Sequence, residues 1–500
     1  MGMYMKWMGS LTVSLLITLS GCASLRELPQ EPVSSVDSTC IRLLDTVDRA
    51  IDRAGTRDSQ AGRIAGFPFL RVNRFLASFR DELSDTDKFN FWIEQLQAQD
   101  MESRRVEIRN TPEDLFSNGD AEFLDSRELL NRIRDCGLRL RLSVTDDIRH
   151  VDQLLQRAVV PDAYSNLKRF FGIYPLSRLL VKYGIEDLQQ SIHERFQQPQ
   201  NNLPVNGKLI SYFPPVTTES ISIDDIKHIL EDASRNPLGI PLLSLTEQNK
   251  FFNKYAPTWE IDVVTDNDRI GTPYWQTESQ LAVDIIKPHV YRHLSYTRFG
   301  GESLVQLNYV IWFPARTRSG HFDILSGHID GITWRVTLGR DGHPVFYDSM
   351  HNCGCYHLFF PADSISQRKS KSGFEEDVII PEFSSGLLKS GSIVIRVASG
   401  THYLQRIDNV SVTKSDTKYM FSNYDDLRSI TLPSGHTRSM FGPDGLVAGT
   451  ERMERWLLWP MGILAPGSMR QWGHHATAFI GRRHFDDPDL FDRYFEVLKQ

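Results

Sequence analysis

The hydrophobic period of this chain changes once, and that change sets its fold class. From about residue 37 to 196 apolar residues recur at helical spacing. Ile41, Leu44, Val47 and Ile51 share one face, as do Val72, Phe75, Leu76 and Phe79. Phe91, Trp92 and Leu96, then Leu129, Leu130 and Ile133, continue the pattern. From about 258 to 420 the period is two. Val305, Leu307, Tyr309, Ile311 and Phe313 alternate with their neighbours, and Ile332, Trp334, Val336 and Leu338 alternate with Thr333, Arg335 and Thr337. Ile393, Ile395 and Val397 alternate less cleanly. Strands rich in β-branched and aromatic residues suit half-buried sheets. The chain therefore reads as α+β: a helical domain over 37–196, then a mostly antiparallel β-rich domain over 258–420, built as a sheet or a sandwich.

The remaining segments connect and close these two. Residues 197–257 read as a linker with short helices: a stretch rich in Gln, Asn and Pro, a helix near 224–232, and a capping box at Ser244-Leu-Thr-Glu247. Residues 421–500 are mixed. Trp456 to Leu464 is apolar but short and broken by Pro460, so it is expected in the core. Asp487-Pro488 reads as the N-cap and first position of a helix running to Leu498. Charged residues make up 24% of the chain and the net charge is −7. Without a long basic run, such a chain is a poor nucleic-acid binder and is not expected to hold anionic lipid by charge.

At the N-terminus Lys6 precedes an apolar run, Leu11 to Leu19, which is too short to span a bilayer. Leu19-Ser20-Gly21-Cys22 follows it. The layout resembles the signal peptide of a bacterial lipoprotein, and those four residues match its lipobox. The resemblance implies that residues 1–21 are removed and that Cys22 carries the lipid. Residues 22–36, polar with Pro29 and Pro32, would then be a tether. Ala23 and Ser24 follow the cysteine with no Asp at the second mature position, which resembles outer-membrane sorting. The implied address is the cell envelope, with the lipid as membrane partner and the protein facing the periplasm.

Export permits disulfides. Of five cysteines, Cys40 begins a helical pattern and Cys136 ends one. A Cys40–Cys136 bridge is the expected pairing, and closing so long a loop would stabilise by about 4–5 kcal/mol in the chain-entropy account. The alternative is two buried free thiols.

The segment His351-Asn-Cys353-Gly-Cys355-Tyr-His357 carries the chemistry most worth testing. Thiolate and imidazole together suit zinc or copper. In an extended segment residues two apart point the same way, so all four groups would share a side. Closing a tetrahedron would need a bend at Gly354 or ligands from elsewhere. A hairpin supplies them: Asp341-Gly342 is a strong turn signal. Pairing through that turn places Asp330 opposite 351–353 and His328 opposite 353–355. His402, beyond a strand and a Gly-containing turn, is a further member. His328-x-Asp330 with His402 resembles the two-histidine, one-carboxylate set of non-haem iron oxygenases. Cys353 or Cys355 with His402 as base loosely resembles papain-like cell-wall hydrolases. A Cys-Gly-Cys redox couple is another reading. The plainest is a tight Cys353–Cys355 disulfide clamping a loop, with His351 and His357 bonded to nearby backbone. Elsewhere His474-His475 and Arg482-Arg483-His484 read as satisfied polar groups, and Asp266-Asn267-Asp268 as a turn.

Three functional classes follow. The first is a binding or structural envelope lipoprotein holding a metal or a disulfide at residues 328–357. The second is an envelope enzyme, metal-dependent or a Cys/His hydrolase, acting on a cell-wall or periplasmic substrate. The third is an assembly lipoprotein that binds protein partners through its helical domain.

Overall fold

A computed structural model describes residues 38–498 except 84, 117–124, 199–202, 217–220, 321–322, 369–374, 383–392 and 410–416. The leader, Cys22 and the tether to residue 36 lie outside the described residues. Helices α1 (Ser38–Ala54), α2 (Thr86–Asn110) and α3 (Ser126–Thr145) share one core around Leu44, Trp92 and Ile133. Asp85 and Asp125 cap α2 and α3 by accepting from the amides of Asp87 and Arg127. A Cys40–Cys136 disulfide joins α1 to α3 with the two Cα atoms 5.2 Å apart.

One part of the helical pattern is overturned. Strands β1 (Gly62–Ile64) and β2 (Phe67–Val72) form an antiparallel hairpin between α1 and α2. Only Arg74–Ala77 is helical there, capped by Asn73. Gly66 turns the chain at φ +83°, and Pro68 is a poor helix-interior residue. Val72 therefore closes a strand and does not begin a helical face. Helices α4 (Ile148–Arg157), α5 (Asn166–Phe171) and α6 (Tyr174–Phe196) follow α3.

The linker also contributes to the β part. Strand β3 (Lys208–Phe213) pairs antiparallel with β4 (Thr258–Val263). Helices α7 (Ile223–Ala233) and α8 (Leu245–Lys254) lie between them, and Ser244 and Glu247 close the expected capping box.

Beyond a small antiparallel pair, Thr272–Trp275 with Leu281–Asp284, come β5 (His289–Phe299), β6 (Glu302–Arg316), β7 (Gly327–Leu338), β8 (Pro344–His351) and β9 (Leu358–Pro361). After them come β10 (Val394–Val397), β11 (Leu404–Asp408), β12 (Thr417–Lys418) and β13 (Met420–Asn423). One sheet has the order β9-β8-β7-β6-β5-β13, the other β11-β10-β4-β3-β12. Neighbours are antiparallel except β13 with β5, β10 with β4 and β12 with β3. The fold is α+β, with N-terminal helices followed by mostly antiparallel sheets. Trp259, Ile261 and Ile395 of the smaller sheet share a core with Leu307, Tyr309, Ile311 and Trp334 of the larger.

The Asp341-Gly342 turn sets the register of β7 against β8 as its chemistry predicts. Arg335 faces Asp348 and Ile332 faces His351. Gly342 takes the left-handed conformation, at φ +82°.

The C-terminal segment covers the far face of the larger sheet, which explains why β6 is buried on both sides. Trp312 and Met350 pack with Met469, Trp472 and Phe485, and Phe346 and Phe359 pack with Phe491 and Phe495. The same segment reaches back to the helices. Arg428 makes two hydrogen bonds to Asp58, at 3.1 and 2.8 Å, and Arg74 pairs with Asp486 at 2.9 Å.

Two expectations fail here. The last helix is Leu490–Tyr494, and residues Phe495–Val497 form a strand against Ile365–Gln367. The Asp487 carboxylate accepts from the His484 amide and Arg493, so it caps a turn and not the helix. Met461 and Ile463 are buried, but Trp456 and Leu457 are 63% and 64% exposed, so that stretch is only half in the core.

Candidate functional site

The N-terminal end of β7, the C-terminal end of β8 and the turn after β10 meet at Asp330. Its Oδ2 accepts from His402 Nδ1 at 2.7 Å, and its Oδ1 lies 3.7 Å from His351 Nδ1. Arg452 Nη2 is 3.5 Å from the same Oδ1 and donates to the Ile329 carbonyl at 2.8 Å. The other side of His402 faces Asp268, with Nε2 and Oδ1 3.5 Å apart. Its ring lies flat on Phe313, centroids 4.0 Å apart and planes 9° apart. Asp268 also accepts from the amides of Gly400, Val264 and Thr265, so it fixes the His402 turn to the end of β4.

Electrostatics follow from this packing. Burial opposes charge on His402, but hydrogen bonds and attraction from Asp268 and Asp330 outweigh it and raise its pKa. Burial would push Asp330 up, yet His351 and His402 hold its carboxyl well below the usual range. Asp268 is lowered to about 2 because His402 and three backbone amides overcome its burial. His402 thus lies between two carboxylates that favour its charged form. His351 goes the other way: burial lowers its pKa more than Asp330 restores it, so it is the neutral partner.

The thiols lie just beyond. Cys353 and Cys355 are free and hydrogen-bonded to each other, at the end of the turn that follows β8. The Gly354 amide donates to His351 O at 2.7 Å, and the His351 amide to Cys355 O at 2.9 Å. Arg470 Nε donates to the Cys353 carbonyl at 2.9 Å. The Cys355 thiol holds the pKa of Cys353 below the ordinary thiol value. Both cysteines border a cavity of about 90 Å³ that Glu454, Arg470 and Ile463 also line. Burial lifts Glu454 to about 7 against the pull of Arg316, Arg452 and Arg470.

The His/Cys segment does not converge as four ligands. His357 Nε2 is 2.8 Å from Asp348 Oδ2, and Asp348 is also paired with Arg335. His328 is exposed and bonded to the Leu281 carbonyl at 2.7 Å. The two-histidine, one-carboxylate set is thus incomplete: His402 and Asp330 meet, and His328 does not join them. For the Cys/His402 dyad, His402 turns its ring to aspartates: Nδ1 bonds Asp330 at 2.7 Å and Nε2 lies 3.5 Å from Asp268. Among the described residues no group of three or more His, Cys, Asp or Glu is arranged to hold a metal ion.

The cause is backbone geometry. Alternation requires an unbroken extended chain, but Ile329, Gly354 and Tyr356 take left-handed φ values of 51°, 94° and 56°. Each re-aims the residue that follows it. His402 is itself at φ 54°. Non-glycine residues in this region are costly and collect where surrounding structure forces them, often at functional sites.

No protein-family model, curated protein or solved structure matches this chain.

Several residues of the site carry no local signal in sequence. Asp268 reads only as a turn residue. Glu454 and Arg470 sit in the C-terminal segment, and Tyr356 and Tyr403, hydroxyl to hydroxyl beside Arg316, look like ordinary aromatics. Two histidines of the C-terminal segment are satisfied, as expected: His474 bonds the Ser59 carbonyl, and His484 pairs with Asp162 and Asp487.

Proposed function

We propose that this chain is a cell-envelope binding lipoprotein, anchored through Cys22, whose β part offers Cys353 and Cys355 as a two-thiol site for Cu(I). The observation that carries this is the thiol pair facing a small cavity beside Arg470. Two thiolates suit a soft monovalent ion, whereas zinc wants four ligands that do not gather here. Binding releases both thiol protons and forms two Cu–S bonds, leaving one net negative charge. The Arg470 guanidinium balances that charge, and Glu454, poised near neutrality, is placed to take up a proton. The hydrolase reading lacks a base, because His402 is committed to two carboxylates. The Asp268–His402–Asp330 array then serves to hold the turn that presents the thiols.

The test is Cu(I) titration of pre-reduced protein against a competing chelator. One ion per chain, lost in Cys353→Ser and in Cys355→Ser, supports the proposal. Titratable thiols at Cys353 and Cys355 with no Cu(I) uptake would overturn it, and their absence before reduction would favour a structural disulfide instead.

A further inference from the structure

Burial fails over one continuous region of the surface. Along α5 and the first half of α6, Leu167, Phe170, Phe171, Leu176, Leu180 and Tyr183 are all exposed, Phe170 by 76% and Leu180 by 78%. Segment 455–464 adds Trp456, Leu457 and Trp459. The two pieces are one face: the Ser165 amide donates to Gly462 O at 2.8 Å, and Arg169 Nε donates to Met461 O at 2.8 Å. A Cβ on Gly172 would lie 2.5 Å from Pro460, so the turn between α5 and α6 sits directly on this segment. Soluble monomers rarely expose so much contiguous apolar surface.

Charge indicates what covers it. Residues 164–184 contain Lys168, Arg169, Arg178 and Lys182 and no acid, residues 455–464 add Arg455 and no acid, and Glu186, one turn beyond Lys182, pairs with it at 3.6 Å. The chain as a whole is acidic, at −7. The Arg178 guanidinium lies over the Tyr174 ring and that of Arg455 over the Trp456 ring, 5.9 and 5.0 Å from the centroids. Exposed Leu and Phe, interfacial Trp and Tyr, and an excess of bases over acids make up the pattern of a helix lying in a membrane interface. No helix among the described residues is long and apolar enough to cross a membrane, so contact is in the plane of the headgroups. A self-complementary interface between two copies would set these bases against one another.

We propose that the face formed by residues 166–183 and 455–464 rests on an anionic phospholipid surface, independently of the lipid at Cys22 and of the thiol site. The experiment uses the chain from Ala23 on, which keeps every described residue and lacks the lipidation position. It is sedimented with vesicles of phosphatidylglycerol and phosphatidylethanolamine, and with vesicles of phosphatidylcholine alone. The expected result is partition into the anionic vesicles that weakens with salt and falls roughly tenfold or more in Phe170→Ser/Leu180→Ser/Trp456→Ser. Arg178→Glu/Lys182→Glu, which leaves the apolar surface intact, is expected to abolish the preference for anionic over neutral vesicles. These side chains are exposed, and unchanged circular dichroism would confirm that the variants fold. Absence of vesicle binding, or a dimer in sedimentation velocity that the triple substitution disperses, would overturn the proposal.

Discussion

His402 Nδ1 and Asp330 Oδ2 lie 2.7 Å apart across 72 residues of sequence, and both side chains are buried. The contact joins the two sheets, because Asp330 begins β7 of the larger and His402 follows β10 of the smaller. Its strength depends on the second carboxylate. Asp268 on the far nitrogen favours the charged imidazole, and His402 in turn favours the ionised form of Asp330.

Removing one member should therefore cost far more than an exposed ion pair. Asp330→Asn leaves a buried imidazolium short of a partner, and such truncations cost about 3–5 kcal/mol. Urea unfolding would measure it. In a cycle with His402→Gln the two losses should be strongly non-additive, because each destroys the same array. Additive losses would mean that the pair contributes packing alone.

The buried histidines should give the protein opposing pH responses. His357, lowered to about 4 mainly by burial despite Asp348, faces Asp348, Arg335 and Arg483. The unfolded chain binds its proton near 6.5, so stability present at pH 7 is lost as pH falls from 6.5 towards 4, by about 3 kcal/mol for this group. His402, whose pKa is raised, acts in reverse: its contribution is full below 6.5 and is lost as pH rises through the folded value. Denaturant unfolding between pH 5 and 8 should show a flatter acid side in His357→Gln and a flatter alkaline side in His402→Gln. Profiles parallel to wild type would refute both assignments.

How much of this was legible in sequence depends on the reach of the signal. The β7–β8 register was readable because Asp341-Gly342 is a two-residue instruction, and Asp330 came out beside His351 as a result. The grouping of His351, Cys353, Cys355 and His357 was misread because period two holds only while φ stays negative, and Gly354 and Tyr356 break it. Nothing short-range marks Tyr356 for that conformation; its surroundings impose it. The face from Val72 to Phe79 failed at its first member for a related reason, since an apolar residue fits the end of a short strand as well as a helical turn. Asp268, Glu454 and Arg470 reach the site only through tertiary packing.

The Cys40–Cys136 bridge closes a sequence separation of 96 residues around the helical core. Replacing both cysteines with Ala should lower stability by about 4–5 kcal/mol, chiefly by freeing the unfolded chain. Thermal unfolding with and without reductant would show it: reductant should lower the midpoint of the wild type and leave the double variant unchanged. Equal midpoints for the wild type under both conditions would mean that the bond is not formed in the purified protein.

Gly354 offers a test that separates backbone strain from crowding. Gly354 and Gly435 have similar left-handed angles, φ +94° and +90°. A Cβ at Gly435 meets open space, whereas one at Gly354 would lie 2.5 Å from the Ala476 carbonyl oxygen. Gly435→Ala should therefore cost only the conformational term, about 1–2 kcal/mol. Gly354→Ala pays the same term and must also push the turn away from Ala476, which displaces both thiols relative to Arg470 and Glu454. Its loss in urea unfolding should exceed that of Gly435→Ala, and its Cu(I) affinity should fall while that of Gly435→Ala stays at the wild-type value. Equal affinity in the two variants would show that the turn geometry does not set the spacing of the thiols.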